Sequence, residues 1–171
     1  MRRRAIPLAA VLLAACATVP RAGQPFAFPA AFTATQVVSV HGERGDQVLL
    51  ASVWREPGRF EVAFLDPALQ APLLSARLAG DSFVEERFVD FPMPASDVEA
   101  LLRDVAALYG SPDIRAGADG TRVRVGRWDV ATSAPVGEAG CRFPDRITWR
   151  IDGRPLPWIE VRTLDVRCDS R

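Results

Sequence analysis

The sequence predicts an α+β fold that is mostly β: a curved antiparallel sheet or incomplete barrel with a covering amphipathic helix. Three observations predict it. Fourteen prolines and twelve glycines punctuate the chain at short intervals, as many short strands and tight turns require. Apolar residues alternate with period two through most of the chain after residue 31, the signature of half-buried strands. One segment alone, 96–110, switches to helical spacing.

Residues 32–40 read as the first strand, enriched in Thr, Val and Phe. His41-Gly-Glu-Arg-Gly-Asp46 reads as a polar turn. Residues 47–54 form a second strand that is apolar on both faces, with Val48, Leu50 and Trp54 on one and Leu49, Ala51 and Val53 on the other. A sheet with one solvated face would alternate, so either protein covers both faces or one faces a cavity. After the turn Glu56-Pro57-Gly58, strand 59–65 puts Phe60, Val62 and Phe64 on one face. Strands 72–78 and 82–89 follow around Ala79-Gly80-Asp81. Ser96-Asp97-Val98-Glu99 then reads as a capping box. Val98, Leu101, Leu102, Val105, Leu108 and Tyr109 form one apolar stripe, which needs the concave face of the sheet beneath it. Gly110 at C′ and Pro112 beyond it end the helix. Residues 122–131 read as a strand whose alternation slips at Gly126, a β-bulge. Residues 132–145 are loop. Strand 146–152 turns Ile147, Trp149 and Ile151 inward. Strand 158–168 carries a phase shift near Arg162-Thr163.

The N-terminus has a separate logic. Arg2, Arg3 and Arg4 precede an apolar run, 5–15, broken only by Pro7. This is the pattern of a secretory signal, and it is too short to span a bilayer. Leu13-Ala14-Ala15-Cys16 resembles the lipobox of a bacterial lipoprotein signal. The resemblance implies cleavage before Cys16 and acylation of that cysteine. It divides the chain into a signal peptide (1–15), an Ala/Pro/Gly-rich tether (16–31) and a single domain (32–171), with Phe26 and Phe28 placed to dock onto the domain. Ala17 in place of Asp implies delivery to the outer membrane, facing the periplasm. The membrane is then a partner through the lipid anchor, which two or three chains hold firmly where one is marginal.

Removing three arginines from 21 basic residues leaves 18 against 21 acidic ones. A weakly acidic chain without a clustered basic patch argues against nucleic acid as a partner. There is no lysine, which excludes Schiff-base chemistry. Cys141 and Cys168, in an oxidising compartment, read as one disulfide, with two buried thiols as the alternative. His41 is the only histidine; with Glu43 and Asp46 beside it, it reads as solvated surface rather than a catalytic base. No second cysteine pair joins it in a metal site. Nothing selects Glu85-Glu86, or Asp66 with Asp90, as an acid–base pair. Phosphate-loop, HExxH and GxSxG motifs are missing. No enzyme and no cofactor are expected.

The order of parts is a lipobox and tether, about five antiparallel strands, the turn Phe91-Pro92-Met93-Pro94, an amphipathic helix, then further strands. It resembles the LolA/LolB-like superfamily of envelope lipoprotein-handling domains, and within it the small outer-membrane lipoproteins of that fold. Residues 47–110 carry the likeness; the cysteine pair departs from the LolB pattern. The resemblance implies a strongly curved, incomplete barrel whose open side is plugged by helix, and non-covalent binding of lipid or lipoprotein acyl chains in the hollow. Face assignment puts Trp54, Phe60, Phe64, Leu101, Leu102 and Val105 on its wall. Two functions follow: a lipoprotein that binds or accepts acyl chains in a hydrophobic groove, or a structural or accessory lipoprotein of an envelope complex whose apolar faces are simply core.

Overall fold

The structure is a computed structural model that describes residues 24–168 apart from 44, 92, 112–114, 117–119, 152 and 156. The signal segment, Cys16 and the first part of the tether lie outside the described residues, as do Pro92 and Pro112. In chain order the strands before the helix are β1 (Gln24–Pro25), β2 (Phe32–Gly42), β3 (Gly45–Glu56), β4 (Arg59–Leu65), β5 (Pro72–Ala79) and β6 (Ser82–Arg87). Helix α1 (Ala95–Gly110) follows. After it come β7 (Arg115–Ala116), β8 (Thr121–Val125), β9 (Trp128–Thr132), β10 (Pro135–Val136), β11 (Phe143–Pro144), β12 (Arg146–Ile151) and β13 (Trp158–Cys168).

Nine strands form one antiparallel sheet in the order β6-β5-β4-β3-β2-β13-β12-β9-β8. The first five are a meander joined by turns. The last long strand, β13, pairs with the first, β2, so the two ends of the domain meet in the middle of the sheet. Alternation sets which face is inside. Ile147 and Trp149 of β12 are buried while Arg146 and Arg150 are exposed. The phase shift expected in the last strand is real: pairing skips a residue between Thr163 and Asp165, and the extra residue, Leu164, is exposed. The outer strands β6 and β8 do not pair, so the barrel stays open along one side.

Helix α1 spans that opening. It packs on β5, next to one edge of the sheet, and on β8, the other edge. One helix can touch both only if the sheet curls around it. Two neighbouring helix residues fix the contacts. The Arg103 guanidinium donates to the Asp81 carbonyl at 3.1 Å in the turn between β5 and β6. The Trp128 indole N–H donates to Asp104 Oδ2 at 3.0 Å on the opposite side. Gly126 lies directly under this second contact. Its φ is +55°, and a Cβ there would sit 2.6 Å from Asp104 Oδ1. The expected bulge at Gly126 is therefore a two-residue hairpin turn, Gly126-Arg127, between β8 and β9. Positive φ at the first turn residue is what a type II′ turn demands and glycine supplies.

The helix ends also differ from the sequence reading. Its N-cap is Pro94, whose carbonyl accepts the N–H groups of Asp97 and Val98, and no side chain caps it. Ser96 falls inside the first turn, and Glu99 bonds Arg103 instead of reaching back. The proline ring holds φ at −58° and starts the helix before the serine can cap it. Gly110 is still helical; Ser111 is the C-cap, its N–H donating to the Leu108 carbonyl.

One end of the barrel is sealed by aromatic rings. Phe28, Phe32, Tyr109 and Phe143 meet with centroids 4.7–5.6 Å apart, edge-on or tilted as ring quadrupoles prefer. Phe26 and Phe28 are both buried, so packing begins inside the segment read as tether. Arg55 of β3 holds this plug. It donates to the Pro29 carbonyl at 3.0 Å and to the Tyr109 carbonyl at the helix C-terminus, where a cation is favoured. Cys141 and Cys168 are joined with Cα atoms 5.6 Å apart. The bond ties the segment leading into β11, which carries Phe143, to the end of β13, beside Phe32. In the chain-entropy account, closing a loop of this length stabilises by roughly 3.5 kcal/mol.

Two outcomes follow. Gly126→Ala should destabilise by about 2 kcal/mol or more in urea, since strained φ and the Asp104 clash add. Gly58→Ala, at φ +77° with nothing within 4 Å, should show the strain alone. Equal costs would mean that Asp104 does not brace the hairpin. Burial pushes the Tyr109 hydroxyl up to about 12, against a lowering by its hydrogen bond to Gln36. A folded value above the unfolded one of about 10 favours the neutral phenol. The stability this gives is fully present below pH 10 and is lost as pH rises towards 12, by about 2–3 kcal/mol. Urea midpoints from pH 8 to 12 should fall accordingly, and fall less in Tyr109→Phe.

Candidate apolar chamber

Between α1 and the concave face of the sheet lies a cavity of about 580 Å³. Its walls follow from strand parity. Gln36, Val38 and Val40 of β2 face it, as do Leu49, Ala51 and Val53 of β3 and Phe60, Val62 and Phe64 of β4. Trp149 of β12 with Ile159 and Val161 of β13 complete the sheet side. Val98, Leu101, Leu102, Val105 and Tyr109 form the roof, all from the apolar stripe of α1. Phe91 and Met93, from the turn before the helix, also reach it, and Phe91 packs on Phe64 with centroids 6.1 Å apart.

The two ends differ. Tyr109 and Gln36 close the deep end against the aromatic plug. Gln36 is only 3% exposed, so its amide needs partners. It donates to the Tyr109 hydroxyl at 3.1 Å and to Thr163 Oγ1 at 3.3 Å. Thr163 in turn donates to the Pro144 carbonyl at 3.0 Å. The polar groups there satisfy one another and carry no charge. At the other end Glu43, Gly45, Gln47 and Pro157 line the same space and are solvent-exposed, so the chamber opens beside the β2–β3 hairpin. Among the described residues Glu43 is the one acidic side chain on the wall.

Of the residues expected on the wall, the structure brings together Phe60, Phe64, Leu101, Leu102 and Val105. Trp54 is a correction. With Ala51 and Val53 inward, period two sends Trp54 to the outer face, where the Arg59 guanidinium covers its ring at 4.3 Å. The two-sided apolar character of β3 thus has a simple origin: one side lines the chamber, and the other is partly covered outer surface, with Val48 half exposed. Sequence reasoning missed the β2 and β13 contributions, although the alternation Gln36, Val38, Val40 was there to read. It had no signal for Gln36 as a wall residue, because a lone Gln in a strand reads as solvated.

His41, Asp66 and Glu85, also singled out, lie outside the chamber, whereas Glu43 stands at its mouth. His41 is at the end of β2 on the outer face, not in a solvated turn. Its ring stacks on Trp158 at 3.8 Å, with Nδ1 3.0 Å from Asp46 Oδ2. Asp66 Oδ1 accepts the N–H groups of Ala68 and Leu69 and shapes the β4–β5 turn. Glu85 pairs with Arg87.

No family model matches the sequence, and no curated protein matches it. Among solved structures, the chain is similar to a LolA superfamily protein of Nitrosomonas europaea known from a crystal structure. The match covers 85% of this chain and 89% of that one, with a TM-score of 0.51 and 8% identity. At that identity the likeness is one of fold: the open antiparallel sheet curled around a covering helix is the fold of a LolA superfamily protein.

Proposed function

We propose that this chain is a membrane-anchored envelope lipoprotein that binds or accepts lipid acyl chains in the chamber between α1 and the sheet. The observation that carries the reading is the chamber itself: about 580 Å³, mostly apolar and open beside the β2–β3 hairpin. Ligand pockets commonly hold about 300–1,000 Å³. Packed interiors leave few voids larger than a water molecule, and a wall without neighbours forgoes dispersion contacts. A fold that keeps so large an apolar space does so at the expense of its own stability, which an apolar ligand would restore. The accessory-subunit alternative, with a filled core, leaves the space unaccounted for.

The remaining features fit the same reading. Each methylene transferred from water to such a wall gains about 0.8 kcal/mol, so binding needs no covalent step and the activity is non-enzymatic. The LolA-superfamily fold is the one the sequence resemblance associates with handling acylated cargo. The lipobox at Cys16 would hold the domain at the outer membrane, facing the periplasm, and the Cys141–Cys168 bond suits that oxidising space.

Native mass spectrometry on protein from an envelope fraction should show a mass excess matching a phospholipid or acyl chain. Leu101→Glu should remove that excess and weaken uptake of a fluorescent fatty acid at least tenfold, since a carboxylate would enter an apolar wall. A clean apo mass with no uptake would contradict the proposal. Cys16→Ser should move the protein from the membrane pellet to the soluble periplasmic fraction; its persistence in the pellet would sink the anchoring.

A further inference from the structure

We infer that the outer face of the sheet across β8, β9, β12 and β13 is a membrane contact that lies on anionic phospholipid headgroups, through arginines that strand pairing gathers there. This contact is separate from the chamber and rests on the proposed anchor only for what brings the face near a bilayer. Val125, Val130, Ile147, Trp149 and Val161 turn inward and are buried. Period two therefore turns Arg122 and Arg124 of β8, Arg146 and Arg150 of β12 and Arg162 of β13 outward, and all five are exposed. Among the described residues, Asp129 and Glu160 are the acids that share this surface up to the bulge in β13. Beyond the bulge Asp165 and Arg167 pair with each other at 3.2 Å. No stretch of the chain is itself basic; separate segments supply the charge.

An arginine-rich composition does not explain the placement. Among the described residues, the other half of the same outer face, on β3 to β6, carries Arg59 and Arg77 against Glu56, Glu61 and Glu86. One half is cationic and the other slightly acidic. Within the cationic half, pairing sets like charges together. Arg146 stands directly opposite Arg162, which costs stability in an antiparallel pair, and Glu160 reaches Arg146 only at 3.9 Å. Near the other end of β12, Asp129 lies between Arg124 and Arg150, one carboxylate beside two guanidinium groups. Arg150 also lies 5.4 Å from the ring of Trp158, an aromatic of the kind that settles at headgroup level. Phosphate oxygens would neutralise the charge the sheet leaves unmatched, and guanidinium groups bind them bidentately.

The connection to the anchor favours a bilayer over any other polyanion. Cys16 lies eight residues before Gln24, and so short a segment reaches at most about 28 Å. Gln24 pairs with Ala116 of β7, five residues before Thr121, where β8 begins at the edge of the arginine face. An acylated Cys16 therefore keeps this face near headgroups, whose attraction acts within about 8 Å at physiological salt. Five arginines offset by two acids make a weak, salt-labile contact. It orients a domain that the anchor already holds and does not replace the anchor, so Cys16→Ser still leaves the membrane pellet at physiological salt.

The test uses the full chain carrying Cys16→Ser, floated at low ionic strength with vesicles of phosphatidylethanolamine alone or mixed with phosphatidylglycerol. Affinity for the mixed vesicles should be about a hundredfold higher, near fivefold for each of three net charges, and should fall towards the neutral value at about 0.15 M salt. Arg146→Gln with Arg162→Gln should weaken it about 25-fold. The same variant should keep or raise the urea midpoint, since it removes a like-charge opposition. Arg77→Gln, on the other half of the outer face, should leave affinity unchanged. If the first pair does not fold, Arg122→Gln with Arg150→Gln gives the same reading. Equal affinity for the two vesicles would overturn the contact and leave an acidic protein as the partner of this face. A loss on Arg77→Gln as large as on the paired variants would overturn it too, as general charge attraction. Competition by inorganic phosphate beyond that of chloride at equal ionic strength would make the face a free-anion site and overturn the membrane contact. None of these results bears on acyl uptake or on the Cys16 anchor, so the contact can fail while both stand.

Discussion

Helix α1 has to satisfy two partners that lie near opposite ends of one sheet, and the rest of the structure is arranged around that demand. Arg103 reaches the β5–β6 turn and Asp104 reaches Trp128 at the β8–β9 hairpin, so adjacent residues hold the two rims. The sheet must curl to bring both within reach, and curling makes its inner face concave. A helix laid across a concave surface touches it at the rims and not along the middle. The chamber is what remains. Had the sheet closed on itself by pairing β6 with β8, no helix would be needed and side chains would meet across the interior. Had it stayed flatter, α1 would lie down on it and leave no space.

A chamber of this kind needs one sealed end to be a pocket rather than a channel. Four rings from three parts of the chain make the seal: Phe28 before the first long strand, Phe32 at its start, Tyr109 at the helix C-terminus and Phe143 in β11. Arg55 joins the first of these segments to the helix end through two carbonyls. The guanidinium suits the task because it donates in several directions from one plane. Its burial lowers its pKa from the ordinary arginine value; a guanidinium, the cationic side chain least readily deprotonated, suits the helix terminus. The disulfide anchors the fourth segment. The shape of the open end therefore depends on contacts at the closed one.

Much of this was legible in the sequence, and what was not has physical reasons. Period two read nearly every long strand, because Ile147, Trp149 and their like must share a face. The spacing of Val98, Leu101, Leu102 and Val105 read the helix and its buried side. Trp54 was misassigned because β3 is apolar on both sides, and alternation cannot say which side of such a strand is concave; neighbouring strands decide it. Gly126 read as a slip in one strand because a two-residue turn between Val125 and Trp128 leaves the apolar rhythm nearly unbroken. Ser96 looked like a cap because capping motifs are local, whereas Pro94 starts the helix earlier. The contacts that matter most for the site, from Asp104, Arg55 and Gln36, are polar residues meeting partners far along the chain, such as Trp128, Pro29 and Tyr109. No periodicity encodes such meetings.

The central claim is that acyl chains enter the space between helix and sheet and do not simply adhere to apolar surface. Photocrosslinking with a diazirine-bearing palmitic acid, mapped by peptide mass spectrometry, tests it directly. The account predicts labels on the inward residues of β2, β3 and β4 and on the inner face of α1, at Val38, Leu49, Val62, Leu101 and Val105. Labels confined to exposed apolar positions such as Val48, Leu69 and Phe88 would contradict it.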